Sequence, residues 1–348
     1  MKFNAIVGNP PYQENIGNEK SNKALSKQLF PWFIIAALKM GPDYLSMITP
    51  SRWFTGEAQD KSFIKLRSYI KSNNQFKKIV NFYDNKLLFK GVTIGSVNYF
   101  LCEKNYTGDV EFVERNETSS NTTFRPLFEE GLDEVLSFNI LSQFISKVKK
   151  RKDFVSLIEL TTGRNPFGVP DVNESLEVLL SEEKDDSHNI EIRCALERIM
   201  FISNKEVTRR EDLIGRYKVF TSKMNGGAGT LQDAGQVAII GRSFVGGPNT
   251  ICSGALIAIG SFDNYNEAKN LKKYLDTKFL RIMVGIMKSS QAIYQNVYQF
   301  VPLQDFTNDS DINWNLSIKE IDKQLYKKYE FTNEEIEFIE SKISYIKY

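Results

Sequence analysis

Residues 3–13, FNAIVGNPPYQ, decide how this chain is read. A short apolar run, Phe3 to Gly8, passes straight into Asn9-Pro10-Pro11-Tyr12. An apolar run of this length bounded by turn signals is consistent with a buried strand. Each proline fixes its own φ and pushes its predecessor out of the helical region. The result is a stiff, extended turn that lacks two N–H donors. Such a turn presents acceptors, the Asn9 side-chain oxygen and the Pro10 carbonyl, with the flat ring of Tyr12 beside them. Two acceptors next to an aromatic face suit an amino group on a planar base. A Pro-Pro loop closing a core strand, with Tyr12 only packing, accounts for the same four residues.

Working outward, a polar loop (residues 13–27) leads to LFPWFIIAALKM, which reads as a helix covered on most sides. YLSMIT reads as a strand stopped by Pro50. Phe63, Leu66, Tyr69 and Ile70 form the apolar stripe of a further helix. KKIVNFYD and SVNYFLCEK look like two more strands, the second preceded by FKGVTIG. This alternation predicts an α/β domain with a mainly parallel sheet. The pattern changes near residue 105: RNETSSNTTFR is turn-like, and LDEVLSFNILSQFISKVKKR resembles a bridging amphipathic helix. The expected division is a first domain over 1–130, a linker helix over 131–150 and a second domain over 151–348. In the second domain VAIIG and ALIAIG read as short strands. Helices are expected over 265–287, 317–329 and 332–346, the last with a Thr332/Glu335 capping box.

With 348 residues the chain is long enough for two cores. The net charge is only +2, so a nucleic-acid surface would have to be a local patch. Residues 61–90 supply one: Lys61, Lys65, Arg67, Lys71, Lys77, Lys78, Lys86 and Lys90 against a single acid, Asp84. A solvated helix face explains that run as well. The 25 Phe and 15 Tyr suit both a packed core and base stacking. Cys102, Cys194 and Cys252 lack CxxC spacing and read as buried thiols, without a zinc site or disulfide frame. The one histidine, His188, lies in the acidic loop SEEKDDSHN, which argues against a Ser-His-Asp mechanism. No signal peptide or transmembrane run is visible, so a cytoplasmic location without membrane contact is expected.

Asn9-Pro10-Pro11-Tyr12 resembles motif IV of the adenine-specific DNA methyltransferases, in which Asp, Asn or Ser precedes Pro-Pro and an aromatic. LFPWFIIAALKM is similar to the helix that follows in that family, YLSMITPSRWF to the next strand and turn, and FKGVTIGSVNYFL to a later motif. The stretch from FVPLQDF through INWNLSIKEIDKQLYKKYEFTNEEIEFIE is similar to the C-terminal part of restriction–modification methylases. The resemblance implies a partial Rossmann-like methyltransferase sheet followed by an α+β target-recognition domain. It implies double-stranded DNA as partner, with an adenine flipped out of the duplex, and S-adenosylmethionine as methyl donor. Asn9 and the Pro10 carbonyl would accept hydrogen bonds from N6 in the Asn9, Pro10, Pro11, Tyr12 catalytic motif, and Tyr12 would stack on the base. Phe89 would also touch the base, and Phe33 would lie against the cofactor adenine.

The family's Gly-containing cofactor turn and ribose-binding acid normally precede this motif, and eight residues precede Asn9 here. NGGAG (225–229) and SFVGGPN (243–249) read as recognition-domain loops. S-adenosylmethionine binding by this chain alone is therefore not expected. A subunit or N-terminal region carrying the cofactor motif would complete the enzyme. The alternative is a non-catalytic DNA-binding or specificity subunit. Pro170-Asp171, Glu182 and Lys184 match the spacing of a PD-ExK nuclease, with LEVLL as its strand, or form a variable loop. Arg164 and Asn165, in TTGRNPFGVP, either read base edges in a DNA groove or shape a turn.

Overall fold

The computed structural model describes residues 3–15, 26–56, 58, 60–84, 86, 88–89, 95–195, 198–231, 235–288 and 292–346. The chain forms two compact units, Met1–Gln143 and Phe144–Tyr348.

In the first unit the apolar run becomes β1 (Ala5–Gly8), and Gln13–Asn15 (β2) pairs with Ser26–Gln28 (β3) as a small hairpin. Helix α1 (Phe30–Lys39) follows with Pro31 in its first turn, where no N–H is needed. Then come β4 (Tyr44–Pro50), α2 (Ser62–Ser72), β5 (Phe76–Phe82), β6 (Val97–Glu103), β7 (Val110–Arg115) and β8 (Ser120–Arg125). The sheet order is β1-β4-β6-β5-β7-β8. Pairs β1/β4 and β5/β7 are parallel, while β4/β6, β5/β6 and β7/β8 are antiparallel. Strands β1, β4, β5 and β7 thus share one direction and β6 and β8 oppose it. The predicted α/β layering holds, with strand direction mainly shared although adjacent pairs are mixed. Phe30, Ile34, Phe63, Leu66 and Ile70 of the helices pack with Leu45, Met47, Ile79, Phe100 and Phe112 of the strands.

β1 is an edge strand with β4 as its sheet neighbour, and Val7 is 81% exposed, so the run is apolar without being buried. RNETSSNTTFR is not a loop: its ends lie in β7 and β8, joined by a tight turn in which Asn116 Oδ1 accepts the Thr118 and Ser119 N–H groups. The polar strand β8 carries mostly exposed side chains, which hides its extended geometry from a hydrophobic pattern.

The predicted bridging helix shortens to α3 (Asn139–Lys149). Beyond it lie a one-turn helix α4 (Glu174–Glu177) and strands β9 (Ile190–Arg193), β10 (Ile199–Ile202), β11 (Tyr217–Ser222), β12 (Ser243–Gly246), β13 (Thr250–Cys252) and β14 (Leu256–Phe262). They form two three-stranded sheets, β10-β9-β13 and β12-β11-β14. ALIAIG is thus strand β14. VAIIG is not a strand, because Ile239 takes φ of 64° and its N–H goes to the Ala228 carbonyl. The helix expected over 265–287 is two, α5 (Tyr265–Asp276) and α6 (Lys278–Met287). Thr277 breaks them by capping α6 with its own hydroxyl. Helices α7 (Ile318–Lys328) and α8 (Asn333–Lys342) both begin with capping boxes, including the expected Thr332/Glu335 pair. No helix among the described residues is long and apolar enough to cross a membrane.

Candidate functional site

In an α/β sheet ligands gather beyond the carboxyl ends of parallel strands. Gly8 pairs with Met47, so Asn9 leaves β1 just where β4 runs on toward Pro50. Pro10 is buried and anchors the turn, Asn9 and Pro11 are exposed, and Tyr12 is half-buried. Neither the Asn9 side chain nor the Pro10 carbonyl has a hydrogen-bond partner among the described residues. The Tyr12 carbonyl accepts the Leu29 N–H at 3.1 Å, and its ring meets Phe30 edge-on at 6.4 Å. Phe30 continues the aromatic run to Phe63 at 5.6 Å. The Tyr12 hydroxyl is buried without a partner among the described residues, and burial pushes its pKa up. The turn is thus held from below by backbone and rings, and its acceptors stay uncommitted.

Phe33 sits on α1 one turn after Leu29, whose carbonyl accepts its N–H at 3.4 Å, and its ring is 47% exposed. Phe89 is half-buried; residues 90–94 of FKGVTIG, and Lys90 with them, lie outside the described residues. Lys61, at the N-cap of α2, and Lys65, on α2, are exposed and carry no ion pair among the described residues. Lys65 Nζ lies 5.3 Å above the Trp32 ring. Arg67 does not belong to this surface. It is 4% exposed, on the inner face of α2, and donates to the Trp53 and Gly56 carbonyls at 2.8 and 2.9 Å. A buried guanidinium that satisfies main-chain carbonyls is a structural clamp, and it cannot reach DNA without unfolding the loop. The rest of the basic run is largely answered by acids distant in sequence: Lys71 by Asp133, Lys77 by Glu103 and Lys78 by Glu111.

In the second unit the Arg164 guanidinium stacks 3.7 Å from the Tyr294 ring centre and remains exposed. Asn165 takes φ of 54° and its carbonyl accepts the Gly168 N–H, so it serves as a turn residue. The nuclease pattern is not assembled. LEVLL begins in the one-turn helix α4 and forms no strand, and Asp171 is tied to Lys223 at 2.6 Å. Glu182 and Lys184 are exposed in a loop. No group of three or more His, Cys, Asp or Glu side chains able to hold a metal occurs among the described residues. His188 pairs with Asp185 in the same loop, and all three cysteines are free and buried.

Sequence reasoning missed a polar ladder beneath the site. Ser51 Oγ donates to Asn81 Oδ1 at 2.5 Å, and Asn98 Nδ2 reaches Ser51 Oγ at 3.2 Å and the Thr49 carbonyl at 3.3 Å. These four residues are at most 4% exposed and span the carboxyl ends of β4 and β5 and the start of β6. Asn81 and Asn98 inside apolar strand runs were the available signal, since a buried polar side chain is costly unless it organises something.

Residues 1–89 match the Eco57I restriction-modification methylase family. Over 166 residues the chain is 30% identical to an uncharacterized adenine-specific methylase of Mycoplasma pneumoniae, a match spanning 46% of this chain and 39% of that relative. The chain therefore covers less than half of that methylase's length. Among solved structures, the type IIG restriction endonuclease BpuSI aligns over 97% of this chain and 52% of its own, at 13% identity and TM-score 0.40. The type IIL restriction-modification enzyme MmeI, solved in complex with DNA, aligns over 96% and 56%, at 12% identity and TM-score 0.41. The family segment holds β1, the Asn-Pro-Pro-Tyr turn, α1, β4, α2 and β5.

Methylases use S-adenosylmethionine, and the two glycine-bearing stretches of this chain bear on how such a group could be held. Gly226–Ala228 form a 3-10 turn and Ser243–Gly246 lie in β12, antiparallel to β11. Neither is a strand–glycine turn–helix unit. Phe33, an exposed ring on α1, is the described residue that the resemblance offers to the cofactor.

Proposed function

We propose that this chain is the base-binding and target-recognition part of a restriction–modification DNA adenine N6-methyltransferase. The observation that carries the reading is the Asn9–Tyr12 turn, with two uncommitted acceptors and a ring at the carboxyl end of β1. An exocyclic amine has two N–H groups to give, and acceptance by Asn9 and the Pro10 carbonyl draws electron density onto its nitrogen. Tyr12, and Phe89 with it, would hold the face of the extruded adenine in double-stranded DNA. Residues 151–348 would read the target, with Arg164 offered to base edges.

The methyl donor would be held by a subunit or further region carrying the glycine motif. Among the described residues β1 pairs with β4 alone and Val7 is exposed, which supports such an addition, because an apolar strand is normally paired or covered. The test supplies the chain with candidate partner proteins, DNA and labelled S-adenosylmethionine. Label on adenine N6 is expected, and Asn9→Ala should lower it about 10²-fold or more, the usual cost of losing one aimed electrostatic contact. Full methylation by that variant would sink the reading. DNA binding without label, whatever the partner, would favour a non-catalytic specificity subunit.

A further inference from the structure

The turn after β4 is held far more firmly than a connecting loop requires. Ser51 N–H donates to the Ser96 carbonyl at 2.9 Å, and its hydroxyl is locked by Asn81 and Asn98. The Arg52 carbonyl accepts the Gly56 N–H at 2.8 Å, and a Cβ at Gly56 would meet that oxygen at 2.4 Å, so the turn closes too tightly for any other residue. Arg67 clamps the far side through the Trp53 and Gly56 carbonyls. Within this rigid frame Ser51, Trp53 and Phe54 are buried, and the side chain left to solvent is Arg52.

Arg52 does not point away from the site. Its Nη2 donates to Gln13 Oε1 at 3.0 Å, one residue past Tyr12. Its Cζ lies 5.9 Å from the Phe63 ring centre, at the end of the Tyr12–Phe30–Phe63 aromatic run. No carboxylate among the described residues pairs with it. Partial burial of its stem lowers its pKa from the usual guanidinium value, although the side chain stays exposed. A guanidinium has five donors, of which one is used among the described residues, on a neutral amide. A solvent-facing guanidinium with no carboxylate partner among the described residues is open to an incoming anion, and the planar fork of arginine matches phosphate oxygens.

We propose that Arg52 is a phosphate clamp that grips the phosphodiester of the nucleotide whose base enters the Asn9–Tyr12 turn. This rests on the base-binding reading of that turn. The buried ladder under Ser51 then has a purpose, since a clamp must be held in place before its ligand arrives.

The experiment titrates the full chain with adenosine, adenosine 5′-monophosphate and adenosine 3′-monophosphate, using ligand-observed magnetic resonance. Wild type, Arg52→Gln, Arg52→Lys and Asn9→Ala are compared, and circular dichroism checks the fold. One nucleotide isomer should bind wild type about tenfold more tightly than adenosine. Arg52→Gln should erase that ratio, and Arg52→Lys should keep part of it. Asn9→Ala should weaken nucleoside and nucleotide alike while preserving the ratio. If Asn9→Ala changes nothing but Arg52→Gln still erases the ratio, the base reading fails and the clamp stands. Equal affinities in wild type, a ratio unchanged in Arg52→Gln, or no binding of any of the three ligands overturns the clamp.

Discussion

At the scale of single residues, the two arginines of the β4 turn show how little residue type says about role. Arg52 and Arg67 flank the same loop, and a basic run in sequence treats Arg67 as a surface cation. Its position on α2 follows the apolar stripe of Phe63, Leu66 and Ile70, one residue from Leu66 and three from Ile70, which places it on the buried side. There it satisfies two main-chain carbonyls that would otherwise be stranded. Arg67→Met should therefore destabilise the protein by about 2–4 kcal/mol, the cost of losing charge-assisted hydrogen bonds and leaving buried acceptors unpaired. Lys65→Gln, four residues from the Lys61 end of the exposed face, should leave the urea midpoint essentially unchanged. Equal midpoints for Arg67→Met and wild type would return Arg67 to the surface. The same logic separates Asn9 from Asn81. Both are asparagines at carboxyl ends of co-directional strands, but Asn81 is spent on Ser51 while Asn9 is spent on nothing within the described residues.

At the scale of elements, capping decides much of the second unit, and it carries a pH dependence. Asp322 on α7 accepts the Lys278 and Phe279 N–H groups at 3.1 and 2.9 Å, closing the start of α6. It is 1% exposed, and burial outweighs those two bonds and Arg281, pushing its pKa from 3.8 up to about 7. For an acid raised in the folded state, the native form keeps the proton that the unfolded chain releases. Stability should then fall as pH rises from about 4 to about 7, by on the order of 3 kcal/mol. Asp322→Asn removes this titration, so the stability difference between the two proteins should change across that window. A difference that stays flat with pH would rule the mechanism out. Sequence patterns found α1, β4, β5, β6 and the Thr332 cap because burial on one face and local cap chemistry are written in neighbouring residues. They missed the α5/α6 break, although Thr277 is a legible N-cap, because the apolar pattern runs on through it. They missed β8 because its side chains face solvent, and the Ser51–Asn81–Asn98 ladder because its members are remote in sequence. At the site, the Asn-Pro-Pro-Tyr turn was readable in four residues. The guanidinium beside Gln13 was not, since only folding brings residue 52 to residue 13.

For the whole molecule, a net charge of +2 makes nucleic-acid affinity depend on where cations remain unpaired. Lys71, Lys77 and Lys78 of the 61–90 run are answered by carboxylates, and an answered lysine releases few counter-ions when it meets a phosphate. Lys77, bound to Glu103 at 2.6 Å, belongs to that class. Lys61 and Lys65 are exposed and free of acids among the described residues, and Arg164 stacks on a ring while staying exposed. Each phosphate neutralised contributes about −0.9 to the slope of log affinity against log salt. Fluorescence anisotropy of a labelled duplex, repeated across potassium chloride concentrations, measures that slope directly. The double variant Lys61→Gln/Lys65→Gln should make it shallower by about two, and Arg52→Gln by about one. Lys77→Gln should change it by less, because Glu103 already holds that charge. Arg164→Gln separates two roles: loss of a phosphate contact shallows the slope, whereas loss of a base contact lowers affinity and leaves the slope in place. A slope unmoved by the Lys61/Lys65 pair would remove α2 from the DNA interface, and the clamp at Arg52 would then stand or fall on its own titration.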